Sequence, residues 1–296
     1  MTEFKPRLQI GVSKYTYAEL LSENGQTRVY GQPKLLRGTV SIAPTDTPVS
    51  ENFDGDDGVY EVLSAVTNEG HTLTNAGLPT AVIREWKGLP VKSGGVLDDG
   101  KLRTKYFCVM YRLMKTDGTY RYFRYFKGAF SFSEADGGTT RPSSGAPRPQ
   151  TKEITYSLLS CDDDTKKCFA DGAEIIGKPE YPGITSQEIF EKNFFGNPNW
   201  YPEDGDQTVT NVSVSGAADI LAGDSEQYTA TVTAENGPPE TVLWTGAGGS
   251  SPGTGISENG LLSVGADETA AELTVTATSS WDETKSGSLT VSVTAA

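Results

Sequence analysis

From Thr208 to the end of the chain, apolar and polar residues alternate one by one, and this period of two constrains the fold more than any other feature. Tyr228, Ala230, Val232 and Ala234 alternate with Gln227, Thr229, Thr231 and Thr233. Leu273, Val275 and Ala277 alternate with Glu272, Thr274 and Thr276, and Leu289, Val291 and Val293 repeat the pattern. Successive side chains of a strand point to opposite faces, so each run offers one face to a core and one to water. About seven such segments, divided by Gly-, Pro- and Asn-rich turns, predict an antiparallel two-layer sandwich over residues 208–296.

A chain of 296 residues has room for two domains. The division expected is a domain over 1–200, a linker over 201–207 and the sandwich over 208–296. With 33 Gly and 16 Pro beside many Thr, Val and Tyr, the N-terminal part is also expected to be mainly β, a sandwich or barrel with one or two short helices. Its clearest element is a hairpin. Tyr106–Met114 leads to Asp117-Gly118, and Tyr120–Phe132 returns. With Asp117 and Gly118 as a two-residue loop, Leu113 faces Tyr122, Tyr111 faces Arg124 and Val109 faces Phe126. The other face then pairs Arg112 with Phe123 and Met110 with Tyr125. This stretch holds ten of the chain's 28 aromatic residues, so both faces need covering, by a core on one side and a second layer or a neighbouring subunit on the other.

Two helices are predicted. Pro79 opens the first, with Val82, Ile83 and Trp86 as an apolar stripe and Gly88 as its stop. Thr185-Ser-Gln-Glu188 is a capping-box pattern ahead of Ile189, Phe190 and Phe194, with Gly196 as the stop. Ala43–Gly58 and Gly137–Gln150 read as long loops, a class that is functional or disordered.

The net charge of −14 is unevenly placed: residues 206–296 carry one Lys against twelve Asp and Glu. That composition argues against nucleic acid as a direct ligand of the C-terminal domain, since phosphate contacts need clustered Lys and Arg. One His and three Cys leave metal and triad chemistry short of parts, and no cofactor is expected. Cys161 and Cys168 flank a turn-like acidic stretch that could bring them together, although a reducing compartment disfavours a bridge. Met1–Arg7 lacks the apolar stretch of a secretion signal, so the expectation is a chain made and kept in a cytoplasm. Asp54-Gly-Asp-Asp-Gly58 looks like the start of a calcium loop, but the position that would need a glutamate is Ala65. No phosphate cradle and no Gly-x-Ser-x-Gly elbow occurs, so no enzyme is expected.

Two family resemblances follow from ordered motifs. Val-Ser-Val-Ser-Gly216, Leu221–Tyr228, Val242-Leu-Trp-Thr245, Ile256–Leu261 and Leu273–Ala277 together resemble a bacterial group-2 immunoglobulin-like domain, with Trp244 as its core tryptophan. Trp281 is the residue named for a glycan contact, with its exposure left open. Upstream, Ile10-Gly-Val12, Tyr15, Tyr17-Ala18, Tyr30-Gly31, Asp54, Tyr60-Glu61, Trp86-Lys-Gly88, Gly95-Val-Leu97 and Tyr125–Phe130 occur in the order seen in the major tail proteins of long-tailed bacteriophages, and residues 8–170 resemble that family. The aromatic return strand Tyr120–Phe126 departs from the pattern.

The resemblance implies a tail-tube fold whose copies form rings, of six subunits, that stack into the virion's tail tube. The tube would enclose the tape measure protein and later pass double-stranded DNA without binding it specifically. It would end against tail terminator and distal tail proteins, be assembled in the host cytoplasm, and carry the immunoglobulin-like domain outside, facing cell-surface glycans. The loop residues Asp46, Asn52, Phe53, Asp54, Asp56 and Asp57 are then candidates for ring-to-ring contact. Tyr111, Tyr122, Arg124, Tyr125 and Phe126 are candidates for core or lateral contact. No membrane partner is implied. The competing class is a non-enzymatic bacterial adhesin or carbohydrate-binding protein built on the same module.

Overall fold

The computed structural model describes residues 7–25, 27–55, 58–92, 95–96, 100–101, 103–133 and 150–294. The chain is mainly β, in several sheets with two α-helices, and divides into two compact units. Met1–Lys178 and Ser186–Asn199 form the first; Pro179–Thr185 and Trp200–Ala296 form the second.

The first unit runs through β1 (Gln9–Asn24), β2 (Thr27–Tyr30), β3 (Lys34–Leu35), β4 (Thr39–Pro44), β5 (Thr47–Gly55), β6 (Gly58–Thr67) and β7 (Gly70–Asn75). Helix α1 (Thr80–Lys87) follows, then β8 (Val91–Lys92), β9 (Gly95–Val96), β10 (Phe107–Lys115) and β11 (Tyr120–Ser131). β12 (Lys152–Leu158), β13 (Lys167–Asp171) and helix α2 (Gln187–Gly196) complete it. The main sheet runs β2-β1-β10-β11-β12-β7-β4, with β13 on β11 and β3 on β1. Its path closes on itself. β3 pairs with Thr16 and Tyr17 of β1, Leu36 N–H donates to Tyr15 O, and β4, a few residues on, pairs with β7. The β3–β4 segment therefore bridges β1 and β7 within one chain and closes the body as a barrel.

Tyr15, Tyr17, Leu73, Phe107, Val109, Tyr111, Tyr125, Ile154 and Tyr156 fill its interior. Helix α1 lays Trp86 on Phe130 with ring centroids 3.7 Å apart, and Gly88 ends it in the left-handed region. Pro79 sits at the N-cap position, one residue earlier than expected. Helix α2 is capped by Ser186, whose hydroxyl accepts from Ile189 N–H. The cap is thus one residue later than the capping-box reading placed it, and Glu188 has no reciprocal role.

The hairpin is present, with its register moved by one. Lys115 N–H donates to Thr119 O and Gly118 N–H to Lys115 O, so the loop is Thr116-Asp117-Gly118. Gly118 takes φ 81°, which suits the glycine of a three-residue loop with a bulge. Tyr111 therefore faces Phe123, Arg112 faces Tyr122, Met110 faces Arg124 and Val109 faces Tyr125. A slip of one residue exchanges every cross-strand partner.

The second unit contains β14 (Thr208–Ser215), β15 (Asp219–Leu221), β16 (Ser225–Gln227), β17 (Thr229–Glu235) and β18 (Val242–Ala247). β19 (Gly255–Ile256), β20 (Leu261–Ser263), β21 (Glu272–Ser279) and β22 (Ser286–Thr294) follow. The sheets are β15-β22-β21-β18, β14-β17 and β16-β20-β19, with β15 parallel to β22 and the remaining pairs antiparallel. The alternating runs bury the expected face: Val232, Leu273, Val275, Ala277 and Val291 are inside. Trp244 is partly buried between the two apolar clusters, a position that joins them. The stretch expected to be a linker is stapled to this unit. Gln207 Nε2 donates to Asn236 O and Gly237 O, Asn236 Nδ2 donates to Asp206 O, and Trp200 is buried.

Candidate assembly surface

The two hairpins of the first unit place the candidate residues in opposite environments. In β10–β11, Tyr111, Tyr122, Arg124, Tyr125 and Phe126 are each at most 4% exposed. One face joins the barrel interior. The other is covered by α2, where Tyr122 packs against Phe190 at 4.6 Å and Arg124 lies 4.4 Å over the Phe194 ring while donating to Phe194 O. Burying an arginine requires such partners. The hairpin's second layer thus comes from its own chain, and these five residues make core contacts; lateral contact with a neighbour is not open to them.

A carboxylate fixes the same helix. Glu191 accepts from Lys14 Nζ at 2.6 Å, Tyr122 Oη at 2.8 Å and Gln187 Nε2 at 2.9 Å, and it pairs with Arg112. Burial works to raise its pKa, but those donors and cations win and hold it below the usual carboxylate value.

His71 occupies the barrel's centre among Tyr15, Tyr111, Tyr125 and Tyr156. Its Nε2 shares a 2.8 Å hydrogen bond with Tyr15 Oη. Burial pushes its pKa down to about 3, against a smaller opposing pull from Asp46, so the ring is neutral. The ring packs among the core tyrosines. All three cysteines are free thiols. Among the described residues, no group of His, Cys, Asp and Glu is arranged to hold a metal, and no helix is long and apolar enough to cross a membrane.

The segment Ala43–Gly58, read as a loop, is the end of β4 followed by the first strand of a second hairpin. β5 and β6 pair from Thr47↔Thr67 to Gly55↔Gly58 and form a sheet of their own, joined to no other strand among the described residues. At ~3.4 Å per residue, this ribbon is about 30 Å long. Val49, Leu63 and Ala65 share one face; Pro48, Val62 and Val66 share the other. Val49 is 48% exposed, Val62 55%, Leu63 58% and Val66 46%. A two-stranded ribbon without a packed face is marginally stable in water, and an apolar, unpaired edge invites another chain.

Among the ring-contact candidates, Asp46 lies at the ribbon's root and Asn52 is exposed on β5. Phe53 and Asp54 belong to β5, but their side chains, and Asp56 and Asp57 entirely, lie outside the described residues, as do 137–149 of the second expected loop. Val62, Leu63 and Val66 were absent from the expectation. The apolar run Val59–Val66 after Gly58 was the available signal. Trp281, named for glycan contact, is partly buried against Val209 and Val232 and donates its indole N–H to Gln207 O at 3.0 Å, so it packs rather than standing out as a stacking platform.

No family model matches the chain, and no curated protein matches it. The functional reading therefore rests on fold and surface.

Proposed function

We propose that this chain is a non-enzymatic structural subunit that polymerises with copies of itself, as a tail-tube protein of a long-tailed phage does. In this reading the first unit builds stacked rings, six subunits in each on the family's pattern. The second decorates the virion tail, and the tube passes DNA without holding it. The tape measure, tail terminator and distal tail proteins would be its neighbours.

The observation that carries the reading is the β5–β6 ribbon, a two-stranded sheet whose two faces expose Val49, Val62, Leu63 and Val66. The exposed residues lie along an extended ribbon on two faces, a shape suited to insertion between neighbours. The barrel closes within one chain, so the main-chain sheet edge contributes less to this reading than the ribbon does. Electron microscopy of the full chain at rising concentration tests it. Rings or tubes are expected; single particles at every concentration would overturn it.

A further inference from the structure

The ribbon joins the barrel through two crossings, and each carries one carboxylate. Chain enters through Thr45 and Asp46 and leaves through Asn68 and Glu69. Lys167, at the start of β13, reaches both: its Nζ lies 2.8 Å from Asp46 Oδ2 and 2.9 Å from Glu69 Oε2. Lys166 adds a 2.6 Å contact to Glu69 Oε1. Asp46 Oδ1 accepts from Gly70 N–H at 3.1 Å, Thr45 N–H donates to Gly70 O, and Thr45 Oγ1 donates to Asn68 O at 3.0 Å. The exit passes close to β12: Gly70 pairs with Ser157, and a Cβ on Gly70 would sit 2.1 Å from Tyr156 O. Beyond Thr47 and Thr67, among the described residues, no side chain of the ribbon hydrogen-bonds to the barrel.

From this arrangement we infer that Lys167 is a clasp: by bridging Asp46 and Glu69 it sets the angle at which the ribbon leaves the barrel, and so presets the ribbon for its partner. The assignment of that partner as a second copy rests on the function proposed above; the clasp itself does not. A single cation shared by two carboxylates on separate crossings resists opening of the root as a unit, whereas two independent pairs would each yield alone. Both carboxylates behave as clasped groups. Burial would raise Asp46, yet the hydrogen bonds from Lys167 and Gly70 leave its pKa lowered. Glu69 is lowered by Lys166 and Lys167 against a smaller burial effect. The groups are partly solvent-exposed, so the clasp holds orientation more than stability, and salt weakens it. Presetting an element lowers the cost of ordering it on association.

Hydrogen exchange read by mass spectrometry on the full chain tests the clasp without requiring assembly. In Lys167→Met, peptides containing Thr45 and Gly70 are expected to exchange roughly fivefold faster, and those covering β10–β11 at the unchanged rate. In Lys167→Arg, which keeps the cation, the root peptides stay within roughly twofold of the native chain. Adding 0.5 M NaCl to the native chain accelerates the same root peptides selectively. Root exchange in Lys167→Met equal to native, or acceleration spread evenly over the barrel, would overturn the clasp. Scoring native assembly separately keeps the two ideas apart. A native chain that never assembles removes the partner, and unchanged root exchange removes the clasp.

Discussion

The two hairpins of the first unit are built from the same local grammar and end in opposite places. Both are antiparallel pairs, and both are long for their class. In β10–β11 one face lines the barrel and the other lies under α2, so Phe107, Tyr111, Tyr122 and Tyr125 are shut away from water. In β5–β6 the described side chains of both faces are left bare, and Val62 and Leu63 remain more than half exposed. Residue composition follows the difference: large aromatics in the covered hairpin, smaller aliphatics mixed with Ser, Thr and Asn in the bare one. A core hairpin loses its stability if trimmed. The bare one gives nothing to the single chain and is intelligible as a surface held for another.

The sharpest way to break that contrast is to truncate a residue on each side of it. Phe107→Ala is expected to cost the first unit about 3–5 kcal/mol in urea unfolding, the usual loss for a buried aromatic. A loss below ~1 kcal/mol would mean that the barrel interior is not packed as described.

The next effect is proton-linked and belongs to the covered region alone. His71 is the chain's only histidine. Its folded pKa of about 3 lies below the unfolded value near 6.5, so between those values the unfolded chain binds the extra proton. Stability contributed by the neutral ring is therefore complete above pH 6.5 and falls as pH drops through the window toward 3, by about 1.4 kcal/mol per pH unit. Asp and Glu titrate lower, so the part between pH 6.5 and 5 is specific to His71. In His71→Gln, which keeps an acceptor for Tyr15, stability should be flat across that part. A slope that survives the substitution would contradict the assignment.

The smallest effect is expected on the bare ribbon. Leu63→Ser with Val66→Ser should change the unfolding free energy of the single chain by no more than about 0.5 kcal/mol, because neither residue is packed within it. A loss near that of Phe107→Ala would show that the ribbon is part of the core after all.

Much of the fold was legible in the residues. The alternating runs of the second unit predicted both its strands and their buried faces, and Trp86 with Gly88 marked α1. What failed was local ambiguity. Asp-Gly serves two-residue and three-residue loops alike, and only the Lys115–Thr119 pairing settles which one forms. Thr185 and Ser186 are both competent caps, and geometry selected the second. Polar residues around 201–207 resemble a linker until the Gln207 and Asn236 amides find their carbonyls. For the candidate assembly surface, sequence located the entering half of the ribbon but mistook it for a loop, since Pro48 and the acidic turn mask the strand pattern. It could not show that Tyr122 and Arg124 were already covered, because the covering helix lies far away in sequence.

The central claim, that the uncovered ribbon exists to meet another copy, is tested most directly by sedimentation velocity across a concentration series, comparing the native chain with the Leu63→Ser, Val66→Ser variant. The account predicts that the native protein shifts to large, fast-sedimenting species as concentration rises, while the equally stable variant stays a monomer. Native protein that remains a monomer throughout, or a variant that assembles just as readily, would contradict it.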